Sequence, residues 1–324
     1  MALDASTSAI GSAGVDPALM SEVLEGLSRP QKALPPKLFY DERGSRLFER
    51  ICEQPEYYIP ATETALLRRH AAELAAFCGP HCVVIEPGAG NAEKSPILLR
   101  ALQQPAAYVP IEISGTALDA CVVHLATQMP ALRVYPVRAD FTRPFWLPRI
   151  ENAQWHRRVI FVPGSTIGNF EPAAARRLLS EWQTLAGPRG ALVIGVDLRK
   201  PRAILERAYD DAAGVTAAFN LNMLEHLNRD FGANFNLEGF EHRAVFNDAD
   251  SRIEMHLVSK RPQRVRIGSR SFVFAAGETL HTENSYKYTP ADFAELALAA
   301  GWARRELWID DRDLFSLQCF EAIA

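Results

Sequence analysis

The sequence contains no apolar run near the roughly 18–20 residues needed to cross a bilayer. It also has no excess of one charge. Its 35 Lys and Arg stand against 39 Asp and Glu, a formal charge of −4, so neither nucleic acid nor an anionic membrane is electrostatically favoured as a partner. The N-terminal stretch MALDASTSAIGSAGVDPALM lacks the basic flank and apolar core of a signal peptide. Cysteine is scarce, with five widely scattered residues, and an odd, scattered set makes no disulfide framework. Cys78 and Cys82 flank GPH, but no second ligand pair follows, so no metal site is read there. There is no internal repeat and no low-complexity tract. What remains is the expectation of a soluble, cytoplasmic globular protein, with 48% hydrophobic residues for a sizeable core.

Residues 1 to about 15 are small and polar and read as a loosely packed lead-in. A helix is expected over about 16–28, ended by the three prolines of RPQKALPPK, and another over about 62–78 with Thr62 as a possible cap. Strand and helix patterns then alternate: CVVIEP, AEKSPILLRAL, AAYVPIEI, SGTALDACVVHLATQ, LRVYPVRAD, RRVIFVPGS, EPAAARRLLSEWQTL and GALVIGVDL. That alternation predicts an α/β core with a parallel sheet buried on both faces. After Asp197 the pattern changes. Residues 202–230 read as mostly helical, and HRAVFND, SRIEMHLVSK, QRVRIG and RSFVFAAG read as antiparallel strands. A last helix, PADFAELALAAG, precedes ARRELWIDD and LFSLQCFEAI, which are expected to rejoin the sheet. An α/β core interrupted by an α+β insertion is the expected architecture.

The first core strand runs into VVIEPGAGNAEKSPILL, residues 83–99. A triphosphate cradle requires Gly-Lys-Ser/Thr, and here Glu93 precedes Lys94 and sets a negative charge where phosphate charge would arrive. The dinucleotide fingerprint requires a third glycine where Glu93 stands. Gly88 and Gly90 let backbone approach a ligand closely, as in S-adenosylmethionine sites, although a purely structural strand-to-helix turn has the same appearance. Two later strand ends bear on the choice, because a doubly wound sheet binds its ligand beyond the carboxyl ends of its strands. Glu112 closes YVPIEI, where a carboxylate can accept both ribose hydroxyl protons. Asp140-Phe141 closes VYPVRADF, suited to an adenine amino group and an apolar ring face. Singly, Glu112 could cap the next helix and Asp140 a turn. Together, in this order, the three strand ends predict S-adenosylmethionine as cofactor.

Further motifs are LPPKLFYDERGSRLFERICEQPEYYIPATET, FVPGSTIGNF, AYDDAAGVTAAFNLN, RIEMHL and TENSYKY. Through these the sequence resembles the histidine-specific methyltransferase family, whose best-known member acts in ergothioneine biosynthesis, from about residue 34 to the C-terminus. The resemblance implies a Rossmann-like class I methyltransferase core and a second, α+β substrate-binding domain. The implied division is 1–60 as an N-terminal contribution to the substrate domain, 61–197 as the cofactor domain, 198–286 as the insertion and 287–324 as the return to the core. It implies three methyl transfers to the α-amino group of L-histidine, giving hercynine, and a monomer whose partner is a small-molecule amino acid.

Carried over by motif, the implied cofactor residues are Gly88, Lys94, Glu112, Asp140, Phe141, Gly164 and Ser165. The family often has Asp where Glu112 stands, which is one methylene longer. On the substrate side, Tyr57, Asn169 and Tyr209 match positions holding the α-amino and carboxylate groups, and Tyr40 matches a tyrosine at the reaction centre. Glu283 and Ser285 match the pair that grips imidazole, Asn284 stands between them, and Met255 matches a wall of the ring pocket. No metal is implied.

The chemistry suits these residue types. Neutral imidazole has one donor and one acceptor nitrogen, which a carboxylate and a hydroxyl can read together. A ligand that leaves Glu283 buried and unpaired is rejected. Displacement at a sulfonium has a neutral leaving group, so the protein mainly aligns an unprotonated amine. Asn169 can orient that amine without charging it, and Tyr40 or a water is the expected proton acceptor. Two other readings stay open: a relative acting on tryptophan, a thiolated histidine or a ring nitrogen, and a binding protein without turnover.

Overall fold

The computed structural model describes residues 16–150 and 154–323. The lead-in expected over residues 1 to about 15 lies outside the described residues. Before the core come α1 (Pro17–Ser28), β1 (Lys32–Ala33), α2 (Glu42–Cys52), α3 (Ile59–Arg69) and α4 (Ala71–Cys78). The core then alternates β2 (Val83–Pro87), α5 (Ser95–Ala101), β3 (Ala107–Glu112), α6 (Gly115–Gln128), β4 (Val137–Arg138), β5 (Arg158–Val162), α7 (Pro172–Ala186) and β6 (Ala191–Asp197). Both faces of β2 and β6 are buried, as a sheet covered by helices on each side requires. β2 pairs in parallel with β3 on one side and β5 on the other, so the chain reverses direction across the sheet at β2. A crevice at the carboxyl ends of β2 and β5 follows from that reversal.

The insertion contains α8 (Arg202–Ala208), α9 (Val215–Asp230), β7 (Phe240–Asn247), β8 (Arg252–Ser259), β9 (Gln263–Ile267), β10 (Arg270–Phe274) and β11 (Thr279–Tyr286). After α10 (Pro290–Leu298), the hairpin β12 (Trp302–Ile309) and β13 (Phe315–Ala322) returns to the core, β13 lying antiparallel to β6. The completed sheet has the order β12-β13-β6-β5-β2-β3-β4, a Rossmann-like core with the expected C-terminal return. No helix among the described residues is long and apolar enough to cross a membrane.

Three elements differ from their sequence expectation. The helix expected over 62–78 is two, because His70 leaves helical geometry (φ −109°, ψ 21°) and its ring stacks on Trp308. Thr62 does not cap; it lies buried in the first turn of α3, whose start three residues earlier accommodates Pro60. LRVYPVRAD pairs only at Val137, Arg138 and a bridge from Val134 to Tyr108, since Pro136 has no N–H for the ladder. The segment around TENSYKY, read only as a motif, forms β11 at the centre of a second sheet ordered β1-β11-β8-β7.

That second sheet is built from distant parts of the chain. Lys32 and Ala33 pair in parallel with Leu280 and His281. The α9 helix covers one face, where Phe39 stacks on Phe219 with ring centroids 4.4 Å apart. Asp41 caps α2 by accepting from the Gly44 N–H at 2.7 Å, and Asn222 and Arg229 of α9 donate to the same carboxylate. One continuous apolar cluster joins α1, α2, α9 and β8 to the core sheet.

At the crevice Glu63 of α3 is fully buried, and its carboxylate accepts from the Gly164 N–H at 2.8 Å and from Lys94. It fits because Gly195 of β6 has no side chain: a Cβ there would stand 2.0 Å from Glu63 Oε1 and 2.8 Å from the Phe315 ring. Gly195→Ala is therefore expected to destabilise the fold by about 1–3 kcal/mol through overpacking. Urea unfolding measures this, and an unchanged midpoint would mean that Glu63 moves aside freely.

Candidate active site

The cofactor-side candidates gather at the carboxyl ends of β2, β3, β4 and β5. Gly88 and Gly90 take φ +72° and +54°, which side chains rarely adopt. A Cβ on Gly88 would come within 3.2 Å of the Phe141 ring, so the glycine also sets how closely that ring lies over the turn. Glu112 accepts from the Gly90 N–H at 3.0 Å and from the Ser114 N–H at 2.9 Å. It thus ties the glycine turn to the entry of α6, and each oxygen keeps a lone pair for a ligand hydroxyl. Asp140 makes a turn: its Oδ1 accepts from the Thr142 N–H and hydroxyl, while Oδ2 has Arg143 at 3.5 Å. Gly164 (φ +80°) and Ser165 (φ +57°) follow β5, and Ser165 Oγ accepts from the Asp197 N–H at 2.9 Å. Lys94 meets Glu63 across this crevice.

The substrate-side candidates meet where α2, the segment before α3, Tyr209 and β11 converge. Tyr57 packs edge-on against Tyr209 (5.9 Å) and Phe48 (6.5 Å), and Tyr40 against Phe48 (6.0 Å) and Phe219 (6.1 Å). Glu283 lies directly opposite Met255, and Ser285 opposite Ile253, on the β11–β8 ladder. Strand alternation puts Glu283 and Ser285 on one face. Ser285 Oγ lies 2.7 Å from the Tyr209 hydroxyl. Asn169 ends a one-turn helix, Thr166–Asn169, that presses on β11; a Cβ on Gly168 would stand 2.9 Å from the Tyr286 carbonyl oxygen.

Asn284 requires correction. The same alternation turns it to the opposite face, where its amide donates to Glu171 at 2.9 Å beside Tyr286 and Arg252. It cannot read a ligand held between Glu283 and Ser285. That outer face also carries Glu254, His256 and His281, with ligand-type atoms within 4.8 Å of one another, but Arg252 occupies the Glu254 carboxylate at 2.8 Å. The role of Tyr40 as proton acceptor changes too. Burial, with Glu283 and Glu112 adding to it, pushes the phenol far up, so at neutral pH it is protonated and can orient a group but not take its proton.

Sequence reasoning missed the charged cluster behind this pocket. Asp197, at the end of β6, accepts from Tyr58, from Lys200 at 2.6 Å and from Lys287 at 2.7 Å. Burial alone would raise the Asp197 carboxyl, but Lys287 and Lys200 outweigh it and hold the group below its ordinary range. Lys287 is fully buried and also donates to Tyr209 at 2.9 Å and Ser285 at 2.7 Å. The available signal was the spacing Glu283, Ser285, Lys287 in TENSYKY, which is legible once the segment is read as a strand.

The family model described as histidine-specific, S-adenosylmethionine-dependent methyltransferase matches residues 19–322. The chain is 39% identical to the histidine N-alpha-methyltransferase of Mycobacterium tuberculosis, over 93% of this chain and 94% of that protein. It is 38% identical to the histidine N-alpha-methyltransferase of Mycolicibacterium smegmatis, with the same coverage of both chains. A more distant relative, the 4-dimethylallyltryptophan N-methyltransferase of Aspergillus fumigatus, is 27% identical over 92% of each chain.

The Glu283 carboxylate accepts no hydrogen bond from the described residues, and burial, partly offset by Lys287, raises it from 4.5 to about 7. A carboxyl raised in the folded state makes folding less favourable as pH climbs past its unfolded value, and the loss is complete above its folded value. Glu283→Gln is thus expected to be more stable than wild type at about pH 8, by on the order of 1–3 kcal/mol, with no advantage at about pH 4. Unfolding curves of both proteins at the two pH values test this. A pH-independent difference would mean the carboxylate is already paired.

Proposed function

Since the chain belongs to the histidine-specific, S-adenosylmethionine-dependent methyltransferases, we propose that it methylates the α-amino nitrogen of L-histidine three times, giving hercynine. The observation that carries this reading is the Glu283 carboxylate, half-buried and without a hydrogen-bond donor among the described residues, beside the Ser285 hydroxyl on one face of β11. A carboxylate lacking a protein donor calls for a ligand N–H, and imidazole supplies one together with an acceptor nitrogen for the hydroxyl. Bound S-adenosylmethionine supplies an electrophilic methyl on a sulfonium that leaves neutral. Glu112, with a free lone pair on each oxygen, suits the ribose hydroxyls, and Asp140 Oδ2 suits the adenine amino group. Phe141 offers a ring face, and the left-handed backbone at Gly88, Gly164 and Ser165 leaves room for the rest of the cofactor, near Lys94.

Asn169 orients the amine, since its side-chain amide makes no hydrogen bond with the described residues. Tyr57 and Tyr40 line the same end with hydroxyls that have no hydrogen-bond partner among the described residues and can adjust as methyl groups replace N–H donors. Because the leaving group is neutral, alignment is the main catalytic contribution. A second reading, another amino acid as substrate, is favoured by the relative named for a tryptophan derivative. Asn284 no longer bears on that choice, because it is outside the pocket.

Mass spectrometry of products from S-adenosylmethionine and each amino acid tests the proposal, with trimethylhistidine expected. Asn169→Ala is expected to lower kcat by about ten- to a hundredfold while leaving cofactor affinity unchanged; full trimethylation by that variant would assign alignment to another group. Glu283→Ala is expected to lower kcat/KM for histidine by about tenfold or more and to shift the histidine-to-tryptophan ratio toward tryptophan. An unmoved ratio would mean that Glu283 does not read the ring.

A further inference from the structure

The pocket wall contains a small proton inventory that closes. An ammonium has three protons and no lone pair. Lys287 directs its protons to Asp197 Oδ2 at 2.7 Å, Tyr209 Oη at 2.9 Å and Ser285 Oγ at 2.7 Å, leaving none for a ligand. Both hydroxyl oxygens are therefore acceptors toward Lys287. They also lie 2.7 Å from each other, so one must donate to the other. A serine oxygen has two full lone pairs, whereas one phenol lone pair is conjugated with the ring, and a phenol is the stronger acid and better donor. Lys287 further lies over the Tyr209 ring face, 4.7 Å from its centroid. These facts favour Tyr209 donating to Ser285. Ser285 Oγ then accepts twice and can only donate to whatever occupies the pocket.

We propose that Lys287 is a positioning residue that, through Tyr209, makes Ser285 an obligate donor, so that the pocket selects a neutral imidazole whose bare nitrogen faces Ser285 and whose N–H faces Glu283. The proposal rests on histidine being the substrate. It also commits the Tyr209 proton to Ser285, so that Tyr209 serves ring recognition. The plainer role for the cluster is to pin β11 to the end of β6. In that case Lys287 affects every ligand alike.

The test is a comparison of ligands with and without the acceptor nitrogen. Affinities for L-histidine and for the two pyrrolylalanines, each with one ring nitrogen replaced by CH, are measured by calorimetry on the full chain with S-adenosylhomocysteine present. Wild type is expected to prefer histidine over either analogue by about tenfold or more, the loss of one hydrogen bond. In Lys287→Met and in Tyr209→Phe that preference should fall several-fold, because Ser285 is no longer held as a donor. Equal weakening of all three ligands, with the preference intact, overturns the proposal and leaves the substrate reading standing. Failure of wild type to bind histidine overturns both. A measurement that needs no variant is nitrogen NMR of ring-labelled histidine bound to wild type. One protonated and one bare ring nitrogen are expected, and two protonated nitrogens would overturn the proposal.

Discussion

Much of the pocket's geometry depends on one buried anion. The Asp197 carboxylate terminates a core strand and is shared by Tyr58 from the N-terminal segment, Lys200 from the following loop and Lys287 from the end of β11. Removing one partner of a buried ion pair commonly costs about 3–5 kcal/mol, because the remaining charge cannot return to water. Three chain segments distant in sequence are therefore fixed at one point, beside the Leu198–Tyr288 bridge that already joins two of them. Two ammoniums against one carboxylate leave an excess positive charge behind Tyr209 and Ser285, offset on the ligand side by Glu283 when it ionises. A neutral amino-acid side chain entering this pocket meets an ordered wall, not adaptable side chains.

The cofactor half and the substrate half differ in how they are assembled. Gly88, Gly90 and Glu112 belong to adjacent strand ends, and the Glu112–Gly90 hydrogen bond joins residues on neighbouring β2 and β3. The substrate half brings Tyr57, Tyr209, Met255 and Ser285 together from across the chain, and no local pattern records such a meeting. Asp140 occupies a middle position, since its Oδ1 makes the turn while Oδ2 remains available.

This difference explains what was legible in the sequence. Apolar runs such as Val83–Ile85 and Leu192–Ile194 announced a doubly buried parallel sheet, and the reversal at β2 follows from its connectivity. The α3–α4 break was not legible, because Ala, Leu and Glu on both sides of His70 are all helix formers and the break is stabilised by tertiary stacking on Trp308. β11 was hidden because Thr282 forms a bulge that interrupts strict alternation, and six of its eight residues are polar. Reading that segment only as a motif made Asn284 a neighbour of its sequence partners. Its true neighbours are Glu254 across the sheet and Glu171 at the start of α7. Lys287 was passed over for a similar reason: a lysine is expected at the surface, and only the distant Asp197 makes its burial tolerable.

The short parallel pairing of Lys32 and Ala33 with Leu280 and His281 has a consequence for how the chain reaches its native state. During synthesis the first of these partners leaves the ribosome long before the second exists. The N-terminal segment, including Tyr58 with its Asp197 contact and Tyr40 beneath α9, must wait for most of the chain. Contacts of such long sequence separation are slow to form, since the closure entropy is lost before any contact repays it. The pairings among β2 to β6 use only residues made before the insertion, so this part of the core can form earlier. The pocket framed by Tyr57, Tyr209 and Ser285 then closes after the crevice at the carboxyl ends of β2 and β5 has formed.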